Sequence, residues 1–254
     1  MKFRRMSRRL STTKDGRRIS GYEVVAFDIP GAWGMLVSIV RSRGVFQKVP
    51  GNYDSEAKTI YNLCLTVEHP ETRPLGEPKA GVNDADVMKY FTDYFYMPGL
   101  GSDLAHSYGD RLQTPFNQFD RAAELLKVEP WSRRAVMLIA RVEDMGTEYP
   151  PCVREVNFFR PPPDYGALFT TVFMRSWDVY GASNPDMGSF QLAGEYVAKE
   201  LGIPTGPLTV FATNAHIYRK QLEYLETAGK SDKPKTFGQM LAARRMSRRL
   251  FYER

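Results

Sequence analysis

The chain has 254 residues, 43% of them apolar and 13% aromatic, which is the composition of a packed globular protein and long enough for one large domain or two small ones. Two cysteines are too few for a disulfide framework, and three scattered histidines with no Cys or His pair at ligand spacing give no metal site. No run reaches the roughly 18 apolar residues of a membrane span, and the basic start is not followed by a signal-peptide core, so the expectation is a cytoplasmic protein with both thiols reduced.

The net charge of +6 is unevenly placed. Residues 1–18 carry eight Lys/Arg and one Asp, net +7; residues 235–254 carry six Lys/Arg and one Glu, net +5; subtracting these +12 from +6 leaves −6 for the middle. A groove that tracks phosphates needs its cations on one folded face, so nucleic acid is not the expected partner. The heptapeptide RRMSRRL occurs at 4–10 and again at 244–250, and nothing in the sequence explains the repeat. The expected organisation is a basic segment 1–18, a catalytic domain 19–234 and a basic segment 235–254. A non-catalytic nucleic-acid-binding protein using these tails is the rival of another class.

In chain order, residues 20–48 alternate apolar and polar stretches, and 59–70 reads as a strand with Cys64 as core filling. Residues 70–86 are a loop rich in Pro, Gly and charge, 84–97 has helical spacing, and 98–113 is a glycine-punctuated connection. A helix is expected over 118–128, ended by Pro130, followed by strands at 135–142, 153–159 and 167–176. Helix 186–203, strand 206–213 and helix 214–229 complete an α+β fold around one large sheet, with no dividing linker.

Cys152 differs from Cys64 in its surroundings. It follows Pro150 and Pro151 and precedes polar positions, and the nearby Arg133, Arg134, Arg154 and Arg175 are the cations that favour a thiolate nucleophile. Singly, each of these features is ordinary. The ordered set PWSRRAV (130–136), YPPCVREVNF (149–158), FMRSWDVYGASNPDMGSF (173–190) and TNAHIY (213–218), with YGDRL at 108–112, resembles the thymidylate synthase family over about residues 105–225.

That resemblance implies a thymidylate synthase-like fold, a homodimer with shared active sites, and one-carbon transfer from 5,10-methylenetetrahydrofolate to a pyrimidine nucleoside monophosphate. It implies that Cys152 is the nucleophile adding to carbon 6 and that Tyr108 belongs to the proton-removal network. Arg133, Arg134, Arg175 and Ser176 fall on phosphate-binding positions, the first two reaching into the neighbouring subunit's site. His216 and Tyr218 fall on the sugar contacts, and Asp178 on the position that meets folate. Where the family has an asparagine that reads uracil, this chain has Asp186, the pattern of the family's cytidylate hydroxymethylases, which add water to the exocyclic methylene and serve nucleoside-antibiotic pathways and phage DNA modification. The alternative for Asp186 is a plain helix cap. Val153 replaces the histidine that usually follows the nucleophile, and the end ARRMSRRLFYER does not match the tail that closes over folate. The expected activity is CMP or dCMP 5-hydroxymethylation; the alternative is an archaeal-type thymidylate synthase acting on dUMP.

Overall fold

The structure is a computed structural model that describes residues 19–49, 56–99, 107–147, 149–161 and 166–227. Both basic segments therefore lie outside the described residues. Eight strands make one mixed sheet: β1 (Ser20–Ala26), β2 (Val45–Lys48), β3 (Glu56–Val67), β4 (Val136–Leu138), β5 (Val153–Phe159), β6 (Leu168–Met174), β7 (Trp177–Asp178) and β8 (Thr205–Tyr218). The order is β1-β3-β8-β6-β5-β4, with β2 added to β3 and β7 to β8. The helices are α1 (Ile29–Arg43), α2 (Asp84–Tyr90), α3 (Tyr108–Gln113), α4 (Gln118–Val128), α5 (Ser183–Leu201) and α6 (Arg219–Thr227). This is the expected α+β arrangement, one large sheet with flanking helices.

The core forms because α5 is apolar or small on nearly all sides. Met187, Phe190, Ala193 and Val197 are buried with Val172, Leu208 and Val210 of the sheet. At its end Gly202 takes φ 67°, a left-handed conformation that glycine adopts without strain, and the helix stops there.

The other face of the sheet is open. Leu138, Glu155, Phe173, Phe211, Cys64 and Glu23 are successive register partners across six strands, so they share one row on one face. Phe173 and Phe211 are each 39% exposed and stack with centroids 5.1 Å apart, while Leu138 is 55% exposed. Cys64 is accordingly half-buried on this face beside Glu23, and the expectation of core filling is corrected. Its neighbours Leu63 and Leu65 take the core side because side chains alternate along a strand.

Other differences are local. Residues 84–97 divide into α2 and a π-helical turn, Phe91–Tyr96, and part of the expected connection 98–113 is helix α3. The strand expected over 135–142 pairs only at Val136–Leu138 before a 3₁₀ turn, Val142–Gly146. Residues 214–218 extend β8, not the last helix, because β3 and β7 flank them with ladder partners. Ala215, His216 and Ile217 are all buried, so no in-and-out alternation marks that stretch as a strand.

Candidate active site

Cys152 sits immediately before β5, partly buried against the core. The element that holds it is Arg175, at the end of the neighbouring β6. The Arg175 backbone N–H donates to the Cys152 carbonyl at 3.0 Å, its Nε donates to the Pro151 carbonyl at 3.0 Å, and its guanidinium also reaches the Pro150 carbonyl. The prolines restrict the approach through their fixed φ, and the arginine clamps the carbonyls they leave. A guanidinium beside a cysteine favours the thiolate.

Tyr108 is brought to this point by α3. Ser107 caps the helix, Gly109 passes so close to Met97 that a Cβ would stand 2.4 Å from the Met97 carbonyl oxygen, and Leu112 is fully buried. Arg111 anchors the same helix to the 3₁₀ turn that leads toward Cys152, through paired bonds to Asp144 at 2.8 and 2.7 Å and a third to the Ile139 carbonyl at 2.8 Å. The Asp144 carboxyl is lowered to about 2, mainly by its bonds to Arg111. Every residue of YGDRL thus has a positional reason, Asp110 included, which accepts from Ser107 and Gly99.

The Tyr108 hydroxyl is pushed well above its usual range by burial, then by the negative charges of Cys152 and Asp186; a backbone hydrogen bond from Val153 and the charge of Arg175 oppose this. Tyr108, Cys152, Asp186 and Arg175 therefore occupy one neighbourhood, although 78 residues separate the first from Asp186. Asp186 does not cap α5: the cap position is Ala182, without a side-chain bond, and Asp186 lies inside the helix, 3% exposed. Its carboxylate accepts from Tyr90 Oη at 2.8 Å and from Trp177 Nε1 at 3.0 Å.

A second group lies on the strands beside it. Asp178 pairs in register with His216, and His216 with Thr59. The rings of His216 and Tyr218 meet edge to face at 4.7 Å. Asp178 accepts from the Gly181 N–H at 2.8 Å and from Gln221 Nε2 at 3.0 and 3.1 Å, while Gln221 Oε1 accepts from the Tyr218 N–H at 2.9 Å. Thr213 Oγ1 donates to the Arg175 carbonyl at 2.6 Å and joins the two groups, with the partly buried Ser176 between Arg175 and Trp177.

Arg133 and Arg134 stand apart. Both are exposed on the turn before β4, and Arg134 pairs with Glu129 at 2.6 Å to both oxygens. Phe158 N–H donates to the Ala135 carbonyl, so this turn lies beside the far end of β5, about 20 Å from Cys152 at ~3.3 Å per residue. The quoted motifs contained Arg111 and Trp177 without assigning either a role, and Tyr90, Gln221 and Asp144 were missed. No local pattern marks those three, since their partners Asp186, Asp178 and Arg111 are remote in sequence.

Among the described residues, no group of three or more His, Cys, Asp or Glu could hold a metal ion, and no helix is long and apolar enough to cross a membrane. A cavity of about 560 Å³ between α1, β2, β3 and α6, bordered by Arg41, Lys58, Arg219 and Glu223, contains none of the candidate residues.

The thymidylate synthase family profile matches residues 91–251. A protein of Methanothermobacter marburgensis, named provisionally as a thymidylate synthase, is 28% identical over 216 residues, covering 78% of this chain and 93% of its own. A similarly named protein of Methanothermobacter thermautotrophicus is 26% identical over 225 residues, covering 81% and 97%. One from Methanopyrus kandleri is 32% identical over 143 residues, covering 55% and 66%. A profile that spans well over half the chain and includes Tyr108, Cys152, Arg175 and His216 fixes the assignment: the chain belongs to the thymidylate synthase family, whose enzymes transfer a one-carbon unit from methylenetetrahydrofolate to a pyrimidine nucleoside monophosphate.

Proposed function

We propose that the protein is a cytidylate 5-hydroxymethylase acting on CMP or dCMP. The observation that carries this reading is Asp186: a buried carboxylate in the neighbourhood of Tyr108 and Cys152, bonded to Tyr90 and Trp177 and not spent on capping its helix. Cytosine presents an amino donor at carbon 4, which a carboxylate accepts; uracil presents an oxygen there, which a carboxylate repels.

The chain's own residues then divide the work. The Cys152 thiolate adds to carbon 6, and the electron pair of the 5,6 double bond moves to carbon 5 as the nucleophile. Arg175 holds the thiol's approach and offers a guanidinium to the phosphate, with Ser176 beside it. His216 and Tyr218 contact the sugar. Tyr108, kept protonated by burial and by neighbouring negative charge, orders the water chain through which the carbon 5 proton leaves. Asp178, a buried carboxylate, has the acceptor chemistry that the N–H groups of a pterin require and would hold that part of the folate. Methylenetetrahydrofolate would supply the one-carbon unit and, once the carbon 5 proton has left, depart as tetrahydrofolate, which leaves the exocyclic methylene. Water adds to the exocyclic methylene carbon, and Cys152 is released as the 5,6 double bond re-forms.

Homodimerisation belongs to the same reading. Arg133 and Arg134 lie about 20 Å along the strand from Cys152 of their own chain, so they serve a phosphate only in a second copy, and the open aromatic face of the sheet is the surface that a second sheet would cover. Mixing Arg134→Ala subunits with Cys152→Ala subunits is expected to restore part of the activity each lacks alone, because a mixed dimer rebuilds one intact site. An active monomer in sedimentation, or no complementation, would refute shared sites.

A second reading, dUMP methylation, is favoured by the names of the archaeal relatives. Product analysis after incubation with methylenetetrahydrofolate and CMP, dCMP or dUMP separates the two: a hydroxymethylated cytidylate supports the first, a methylated uridylate the second.

A further inference from the structure

We infer that Tyr90 and Trp177 are positioning residues that hold the Asp186 carboxylate as a hydrogen-bond acceptor, so that the site takes a base with an amino group beside Asp186 and rejects one with a carbonyl. The inference rests on the cytidylate reading and names the residues that enforce it.

Each carboxylate oxygen of Asp186 already faces a donor. The Trp177 indole N–H points at Oδ2 from 3.0 Å, and an indole nitrogen donates only; it cannot turn and accept. Trp177 is 1% exposed and its backbone is paired in register with Ala215, so the ring has no room to swing away. The Tyr90 hydroxyl donates to Oδ1 at 2.8 Å. Two donors, one on each oxygen, favour the ionised carboxyl group and fix its orientation, and each oxygen keeps a second lone pair that can accept. Tyr108 is a titratable side chain within its electrostatic reach. A uracil oxygen placed there sets acceptor against acceptor, whereas a cytosine amino group brings a donor to the carboxylate.

The packing that delivers Tyr90 is specific. Gly188 of α5 lies two residues after Asp186, and a Cβ on it would stand 2.4 Å from Val87 Cγ1 and 2.8 Å from the Leu75 carbonyl oxygen. Val87 is one turn before Tyr90 on α2. The glycine therefore lets α2 press against α5 at the one level that brings Tyr90 to Asp186. Directly after Tyr90 the chain enters the π-helical turn Phe91–Tyr96, a rare geometry that recurs at functional sites because it redirects side chains.

The test compares wild type, Tyr90→Phe and Trp177→Phe in the full-length protein, measuring kcat/KM by tritium release from carbon 5 for CMP against UMP and for dCMP against dUMP, with methylenetetrahydrofolate present. Wild type is expected to prefer cytidylate, and Tyr90→Phe to lower that preference about tenfold, equivalent to about 1.4 kcal/mol, mainly through KM and with little change in melting temperature. Gly188→Ala, which separates the helices without touching either polar group, should lower the ratio in the same direction. If wild type prefers cytidylate and Tyr90→Phe leaves the ratio within twofold, the positioning role is overturned and the cytidylate reading stands. If wild type prefers uridylate, the reading fails and the inference with it. A Trp177→Phe protein too unstable to assay leaves the decision to Tyr90→Phe, which removes a single oxygen.

Discussion

Cys152→Ala is expected to reduce turnover by about 10⁴-fold or more while nucleotide binding persists, because in the proposed mechanism Cys152 is the covalent nucleophile and its loss removes the step itself. In the proposed mechanism the phosphate, sugar and base contacts come from Arg175, His216, Tyr218 and Asp186 on other elements, so a binding titration with the nucleotide should give an affinity close to that of wild type. Cys64→Ala is the matched control: Cys64 lies half-buried on the opposite face of the sheet beside Glu23, where burial raises its thiol pKa and the Glu23 charge adds to the effect. A nucleophile needs the opposite shift. Cys64→Ala should therefore leave chemistry intact, and loss of tritium release in the Cys64 variant with retention in the Cys152 variant would reverse the assignment.

Arg111→Ala is expected to cost about 3–5 kcal/mol of stability in urea unfolding, since it leaves the Asp144 carboxylate buried without its principal partner. The Arg111 side chain is 12% exposed and that of Asp144 3%, and their fork geometry explains why Arg111→Lys should recover only part of the loss. Acid provides a second arm. The Asp144 pKa is lowered from 3.8 to about 2, so the pair's contribution is fully present above pH ~4 and lost as pH falls through about 2. The stability gap between wild type and Arg111→Ala should shrink over that window and stay constant above it. A gap under about 1 kcal/mol at neutral pH would show that the pair contributes little. Because Arg111 ties the helix that carries Tyr108 to the turn that leads to Cys152, the surviving Arg111→Lys protein should also lose turnover.

The motifs that carry the candidate residues were legible in the sequence because they are short and contiguous. Pro150-Pro151-Cys152, Arg175-Ser176 and His216-x-Tyr218 each occupy one turn or strand end, and helix 118–128 and strand 153–159 appear at the expected bounds. The misplaced elements are those whose conformation is decided by neighbours. Asn214–Tyr218 has no alternation to mark it as a strand, yet β3 and β7 supply its hydrogen bonds. Cys64 looked like core because it stands among leucines, and only the sheet's covered side distinguishes Leu63 and Leu65 from it. Tyr90, Gln221 and Asp144 were invisible for a related reason: their partners Asp186, Asp178 and Arg111 lie 96, 43 and 33 residues away.

The central claim is that Asp186 directs this family member to cytidylate. The most direct measurement is tritium release from carbon 5 of labelled CMP, dCMP and dUMP by the wild-type protein, with and without methylenetetrahydrofolate. The account predicts release from at least one cytidylate that requires methylenetetrahydrofolate and exceeds release from dUMP by tenfold or more, the scale of one misplaced polar contact. Release from dUMP that equals or exceeds that from both cytidylates would contradict it.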